Sequence, residues 1–209
     1  MEWPAHIDDV RDAIRWLLRK EGEEGWEGKE WIICGHSVGG TMAVMLGLEP
    51  RISRDGHDYG WGNEMQMQGL RGVVGVEGIY DFTACRDAHP EMREVYDGFI
   101  EGAFGKEGDG GWRRGNVSGC GRRVGRGVGV VVLGQSRGDE LVEWEQVGGM
   151  IGEVKWEGEE GAKELVELEG RHQEVVEGGV GIAKCVGRCV ELLVRMEQGI
   201  MGRGSGHDL

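Results

Sequence analysis

Residues Trp31-Ile32-Ile33-Cys34-Gly35-His36-Ser37-Val38-Gly39-Gly40 run from an apolar stretch through a glycine-flanked serine into Thr41-Met42-Ala43-Val44-Met45-Leu46. An apolar strand followed at once by an apolar helix leaves room only for a sharp turn, and Ser37 occupies it. In such a turn the serine backbone is strained and its hydroxyl stands at the top of a sheet. Small residues two positions to either side let strand and helix pass closely. This is the geometry of an activated serine nucleophile. With 42 glycines among 209 residues, the Gly-x-Ser-x-Gly spacing alone is a weak signal. Gly134-Gln135-Ser136-Arg137-Gly138 also matches, but it leads into Asp139 and Glu140. Ser37 leads into residues suited to a helix buried against a sheet, which makes it the favoured candidate.

Length and charge narrow the classes that remain. A chain of 209 residues suits one domain able to bury most of its apolar surface. A formal net charge of -14 disfavours non-specific binding to nucleic acid or to an anionic membrane. The N-terminus has neither a basic leader with an apolar core nor a run of about eighteen apolar residues, which points to a cytoplasmic protein. Five cysteines at irregular spacing argue against a disulfide framework. Cys185 and Cys189 fall on an apolar helical stripe and read as core thiols in preference to metal ligands.

Hydrophobic periodicity places the elements. Ile7, Val10, Ile14, Leu17 and Leu18 share one helical face after Pro4, and the Trp31 strand and its helix follow. Residues 50–69, with His57, Asp58, Tyr59 and Trp61, read as a solvated loop or part of a lid. Gly72 to Tyr80 reads as a buried parallel strand whose exit lies near Ser37, since ligands collect at the carboxyl ends of such strands. Glu91 to Phe104 reads as a helix with Met92, Val95, Phe99 and Ile100 in its stripe. Arg113, Arg114, Arg122, Arg123 and Arg126 form a basic cluster between Gly105 and Gly127 that reads as a solvated loop. Val128 to Leu133 is the clearest strand, Leu141 to Ile151 a helix, and Leu165 to Leu168 a strand. A closing helix carries Ile182, Cys185, Val186, Cys189, Val190 and Leu193. The expected organisation is one domain over residues 1–198 and a mobile tail over 199–209.

Three polar residues then stand just beyond three strands, in the chain order Ser37, Asp139, His172. That order is the one expected of α/β-hydrolases, an α/β fold with a mostly parallel sheet and helices on both faces. A serine hydroxyl needs a base to take its proton as it attacks, so His172 is the candidate base and then acid. Asp139 would hold the imidazole tautomer, with Glu140 as the alternative acid. The oxyanion of a tetrahedral intermediate needs two donors, one of them the backbone N–H after the nucleophile, here Val38. The second comes in related esterases from a His-Gly-Gly-like loop before the elbow, and Met1 to Trp31 holds no such stretch. Tyr80, Phe99 and Trp112 are candidates to stack on an aryl substrate, with plain core packing as the competing role.

Gly35-His36-Ser37-Val38-Gly39, Glu77-Gly78-Ile79-Tyr80-Asp81, Tyr96-Asp97-Gly98-Phe99-Ile100, Ala103-Phe104-Gly105 with Trp112, Ser136-Arg137-Gly138-Asp139-Glu140-Leu141-Val142 and Gly170-Arg171-His172 together resemble fungal kynurenine formamidase (arylformamidase) over about Pro4 to Glu197. The resemblance implies hydrolysis of N-formylkynurenine to kynurenine and formate, a step of tryptophan breakdown that feeds NAD synthesis. It implies no metal and no cofactor, a small-molecule substrate, and Ser37, Asp139 and His172 as nucleophile, acid and base. Asn116-Val117-Ser118-Gly119 stands where the family has a Ser-Pro pair. The family's first strands and its His-Gly-Gly segment would precede Met1, so the expectation is a fold lacking its N-terminal strands, with Trp31 to Cys34 at an open sheet edge. Two other readings compete, a non-catalytic remnant of that fold and a generic small-acyl carboxylesterase. The oligomeric state is left open, a homodimer included.

Overall fold

The computed structural model describes residues 3–24, 29–48, 69–106, 112, 115–119, 123–156 and 161–199. The expected loop or lid over most of 50–69, three of the five clustered arginines (Arg113, Arg114 and Arg122) and the tail beyond Gly199 lie outside the described residues. In chain order the elements are α1 (Ala5–Glu24), β1 (Trp31–His36), α2 (Val38–Gly47), β2 (Leu70–Val76), α3 (Phe82–Ala88), a single 3-10 turn (Pro90–Met92), α4 (Arg93–Phe104), β3 (Val130–Ser136), α5 (Trp144–Glu153), β4 (Ala162–Leu168), α6 (Glu174–Glu177) and α7 (Val180–Glu197).

The four strands form one parallel sheet in the order β1-β2-β3-β4. Ile33 pairs with Val73, Val73 with Val131, and Leu133 with Leu165. Among the described strands β1 pairs with β2 alone and stands at the sheet edge. Strand alternation sorts the core between two faces. Val73, Val131 and Leu133 pack with Ile7 of α1, Val44 and Met45 of α2, and Val147 and Met150 of α5. Val74, Val76, Val130 and Val132 pack with Cys185, Cys189 and Leu192 of α7. A third cluster joins Phe82 and Cys85 of α3 to Tyr96, Ile100 and Phe104 of α4 and to Trp112, capping the carboxyl side of β2.

The glycines inside the strands have a packing reason. A Cβ on Gly72 would lie 2.5 Å from Cys189 Sγ, and one on Gly134 would lie 2.5 Å from Cys185 Sγ. The two cysteines, one helical turn apart, thus settle into the two gaps on the sheet. Burial pushes both thiols up to about 12, so they sit there as neutral apolar groups.

Several boundaries differ from the sequence expectation for identifiable reasons. β2 stops at Val76 because Glu77 turns to φ 49°, outside the extended region. The helix expected from Leu141 begins at Trp144, because Asp139 Oδ1 accepts the backbone N–H groups of Leu141 and Val142 and holds that stretch as a turn. The helix α3 is an addition, capped by Asp81, whose Oδ1 accepts Ala84 N–H at 3.0 Å. On α4 the buried face is Tyr96, Ile100 and Phe104, whereas Val95 and Phe99 are 66% and 40% exposed. Leu17 of α1 is likewise exposed. No described helix is long and apolar enough to cross a membrane.

Candidate active site

Ser37 stands between β1 and α2, at the helix N-cap, with φ 55° and ψ -129°. A non-glycine residue in that region is strained by about 1–3 kcal/mol and needs its surroundings to hold it there. Ser37 N–H donates to Val76 O at 2.9 Å, tying the turn to the neighbouring strand. Thr41, one turn into α2, accepts Ile79 N–H at 3.0 Å and donates to Ile79 O at 2.7 Å, clamping the helix to the exit of β2.

The glycines that permit this crossing are Gly35 and Gly40. A Cβ on Gly35 would lie 2.0 Å from Gly39 O, and one on Gly40 would lie 3.0 Å from Val76 O. At Gly39, which the sequence spacing singles out, a Cβ would meet nothing within 4 Å. Gly35→Ala is therefore expected to cost about 3 kcal/mol or more through backbone displacement. Thermal unfolding should fall by about 6–12 °C. Gly39→Ala, which gains helix propensity, should leave the melting temperature unchanged or raised. Equal losses in the two variants would contradict this geometry.

Asp139 and His172 come together from the turns after β3 and β4. His172 Nδ1 lies 2.9 Å from Asp139 Oδ2, which also accepts Gln135 Nε2–H at 3.0 Å. With Leu141 and Val142 on Oδ1, every lone-pair direction of Asp139 has a donor. Burial acts to raise the Asp139 pKa, but the His172 hydrogen bond and the two amides outweigh it and hold the carboxyl below its ordinary value. Burial also acts to lower the His172 pKa, but Asp139 outweighs it, with Glu77 and Glu140 adding to the rise. This arrangement directs Nδ1–H to Asp139 and leaves Nε2 as the basic nitrogen. Glu140, the alternative acid, instead accepts His172 N–H at 3.1 Å and pairs with Arg171 at the surface.

Ser37 Oγ makes no direct hydrogen bond to His172 in this structure, a contact that commonly tightens only with substrate. The elbow meets the histidine loop through the residue before the serine. The His36 ring centroid is 4.5 Å from that of His172, and His36 Nε2 lies 3.1 Å from His172 O. Val38 N–H is the first amide of α2 and belongs to the helix N-terminal donors that have no intrahelical acceptor.

Ser136, the competing serine, has a different task. It is buried, its Oγ donates to Gly170 O at 2.5 Å and accepts Gly138 N–H at 3.0 Å, so it joins the Asp139 turn to the His172 loop. Ser136→Ala should lose about 1–3 kcal/mol of stability by stranding these groups, while hydrolysis stays well above the Ser37→Ala level. Urea denaturation alongside turnover would check it.

Of the three aromatic candidates, Tyr80 and Trp112 sit inside the core, whereas Phe99 is exposed on α4. Tyr80 is fully buried among the residues over α2 and β3, with its ring against Gly78. Trp112 is buried too, its Nε1–H donating to Gly105 O at 2.8 Å and its face covered by Arg86. Neither presents a ring to solvent, because the β2 exit turns inward under Gln146. Gln146 Oε1 accepts the N–H groups of Tyr80 and Asp81 at 2.8 Å each.

One residue had no signal in the sequence beyond its place at a strand exit. Glu77 is fully buried beside both histidines, its Oε2 3.1 Å from His36 Nε2 and 3.6 Å from His172 Nδ1. Burial raises its pKa, with the His36 hydrogen bond opposing. Ser37 and Glu77 are the two non-glycine residues with positive φ among the described residues, and both border this site.

A family model, BD-FAE, matches residues 1–107, just over half of the 209 residues. The chain belongs to the BD-FAE family. BD-FAE is an α/β-hydrolase-type esterase family, and the four-stranded parallel sheet with helices on both faces is the α/β-hydrolase fold. A kynurenine formamidase-like hydrolase of Fusarium equiseti is 28% identical over 194 residues, covering 91% of this chain and 60% of the relative. A probable carboxylic ester hydrolase of Mycobacterium tuberculosis is 34% identical over 99 residues, 47% of this chain and 22% of the relative. The chain thus spans less than two thirds of the curated relatives it matches. A truncated carbohydrate esterase from gut microbiota superposes with a TM-score of 0.63 at 15% identity, covering 92% of this chain and 70% of that one. At that identity the BD-FAE chain shares its fold.

Proposed function

We propose that this BD-FAE chain is a serine hydrolase of the esterase type acting on N-formylkynurenine, with Ser37 as nucleophile, His172 as base and Asp139 as its orienting acid. The observation that carries the reading is the 2.9 Å contact between His172 Nδ1 and Asp139 Oδ2, set beside a serine held at φ 55°. His172 Nε2 takes the Ser37 proton as Oγ attacks the formyl carbon, and the resulting oxyanion is drawn to Val38 N–H. The imidazolium, stabilised by Asp139, then gives its proton to the departing aryl amine. Water, activated by the same nitrogen, releases formate from the formyl-serine. A formyl group is small and unhindered, and an aryl amine is a tolerable leaving group.

The name of the Fusarium equiseti relative and its 91% coverage of this chain favour the formamide substrate. The Mycobacterium tuberculosis relative favours a second reading, a small-acyl carboxylesterase using the same three residues. Formate release from N-formylkynurenine, measured beside hydrolysis of p-nitrophenyl acetate, separates the two. The formamidase reading requires a kcat/KM for the formamide above that for the ester. The reverse order assigns the esterase.

A further inference from the structure

We propose that His36, Glu77 and His172 form a binding site for Zn²⁺, and that the bound ion switches the hydrolase off by taking the nitrogen that Asp139 otherwise orients. The inhibitory half rests on the triad reading above; the binding half does not.

The donor atoms are already spaced for a metal. His36 Nε2 and Glu77 Oε2 are 3.1 Å apart, Glu77 Oε2 and His172 Nδ1 are 3.6 Å apart, and all three lie within 4.8 Å of one another. A tetrahedral zinc with bonds near 2.1 Å separates neighbouring donors by about 3.4 Å, close to both separations from Glu77 Oε2. Asp139 Oδ2, 2.9 Å from His172 Nδ1, stands ready as a fourth ligand once the proton between them has left. Two imidazoles and carboxylate oxygen suit zinc over magnesium or calcium, which prefer all-oxygen shells.

A second observation points the same way. Glu77 Oε1 is buried with no hydrogen-bond partner, although Glu77 is held by a positive φ and by its N–H donating to Gly134 O at 2.8 Å. A buried carboxylate oxygen without a donor is costly, and a cation that Glu77 chelates through Oε1 as well as Oε2 would remove that cost. His36 is the ligand nearest solvent, its side chain 17% exposed while those of Glu77 and Asp139 are fully covered.

The consequence follows from the tautomer. Zinc on Nδ1 displaces the proton that His172 shares with Asp139, and this proton leaves to solvent. The remaining ring proton sits on Nε2, the nitrogen that the triad reading assigns to Ser37, and leaves it a donor without a lone pair. It can no longer accept the serine proton.

Co²⁺ absorption in the visible range and Zn²⁺ calorimetry on the purified full chain test the site directly. The wild type should take up one ion with tetrahedral cobalt bands. His36→Gln and Glu77→Gln should each weaken binding at least tenfold. Cys85→Ser, which breaks the separate Cys85, His89 and Glu143 cluster, should leave it unchanged. Where Glu77→Gln fails to fold by near-ultraviolet circular dichroism, His36→Gln decides. Unaltered binding in the histidine and glutamate variants, loss in Cys85→Ser, or no uptake by the wild type at millimolar metal each overturns the proposal. In the second arm, formate or acetate release should fall in proportion to Zn²⁺ occupancy and return with chelator. Full occupancy with undiminished turnover overturns the inhibitory half. A chain with no turnover in any condition refutes the hydrolase reading while the cobalt and calorimetric arm still decides the site.

Discussion

Ser37→Ala is expected to bring hydrolysis of both the formamide and the ester down by about a millionfold in kcat, to the rate left by binding and oxyanion contacts alone. The size follows from what the hydroxyl does. Without Oγ there is no acyl-enzyme, and His172 can at best activate a water that the turn does not position. The fold should tolerate the change, because the Ser37 contacts that hold the turn are backbone groups, its N–H to Val76 O and its O to Thr41 N–H. An unchanged melting temperature with abolished turnover separates loss of chemistry from loss of structure. Turnover within tenfold of wild type would remove Ser37 from the mechanism altogether.

Asp139→Asn should lower kcat by about 10⁴ while leaving KM close to its wild-type value, as expected when the histidine is held in the wrong tautomer. The amide nitrogen introduced by the substitution would face His172 Nδ1 as a donor, forcing the ring proton onto Nε2. In the native chain Gln135 Nε2–H donates to the oxygen that meets His172, but the backbone N–H groups of Leu141 and Val142 both need an oxygen at the Oδ1 position, so the new nitrogen takes the His172 side. Glu77 Oε2 lies 3.6 Å from His172 Nδ1 and is engaged by His36 at 3.1 Å. A loss smaller than about a hundredfold would mean that Glu77 takes the Nδ1 proton instead and that Asp139 is not the orienting acid. Steady-state kinetics on the two substrates, with a pH-independent comparison at the plateau of each profile, gives the answer.

The strands and the elbow were legible because their signals are local. Valine-rich runs bounded by turns can do little else than enter a sheet, and a serine between an apolar strand and an apolar helix has one sharp turn available. The failures fall where a local pattern had two outlets. On α4, Val95 and Phe99 share a helical stripe with Ile100, yet Tyr96, Ile100 and Phe104 make the buried face because α3 packs there. Two serines with identical glycine spacing could be ranked only by their flanks. The buried tie from Ser136 Oγ to Gly170 O is what gives that residue a structural task.

By itself the sequence determined an α/β chain with three apolar strands and one alternating strand, and with Ser37, Asp139 and His172 each just past a strand, since periodicity, turn residues and chain order need no knowledge of neighbours. The tertiary structure alone decided that Gly40 and not Gly39 gives α2 its close approach, and that Tyr80 and Trp112 belong to the core. It also decided that Glu77 stands between two histidines. Each of these depends on which strand lies beside which. Residues 41 and 136 positions apart from His36 become its hydrogen-bond partners only when β1 to β4 are laid in register.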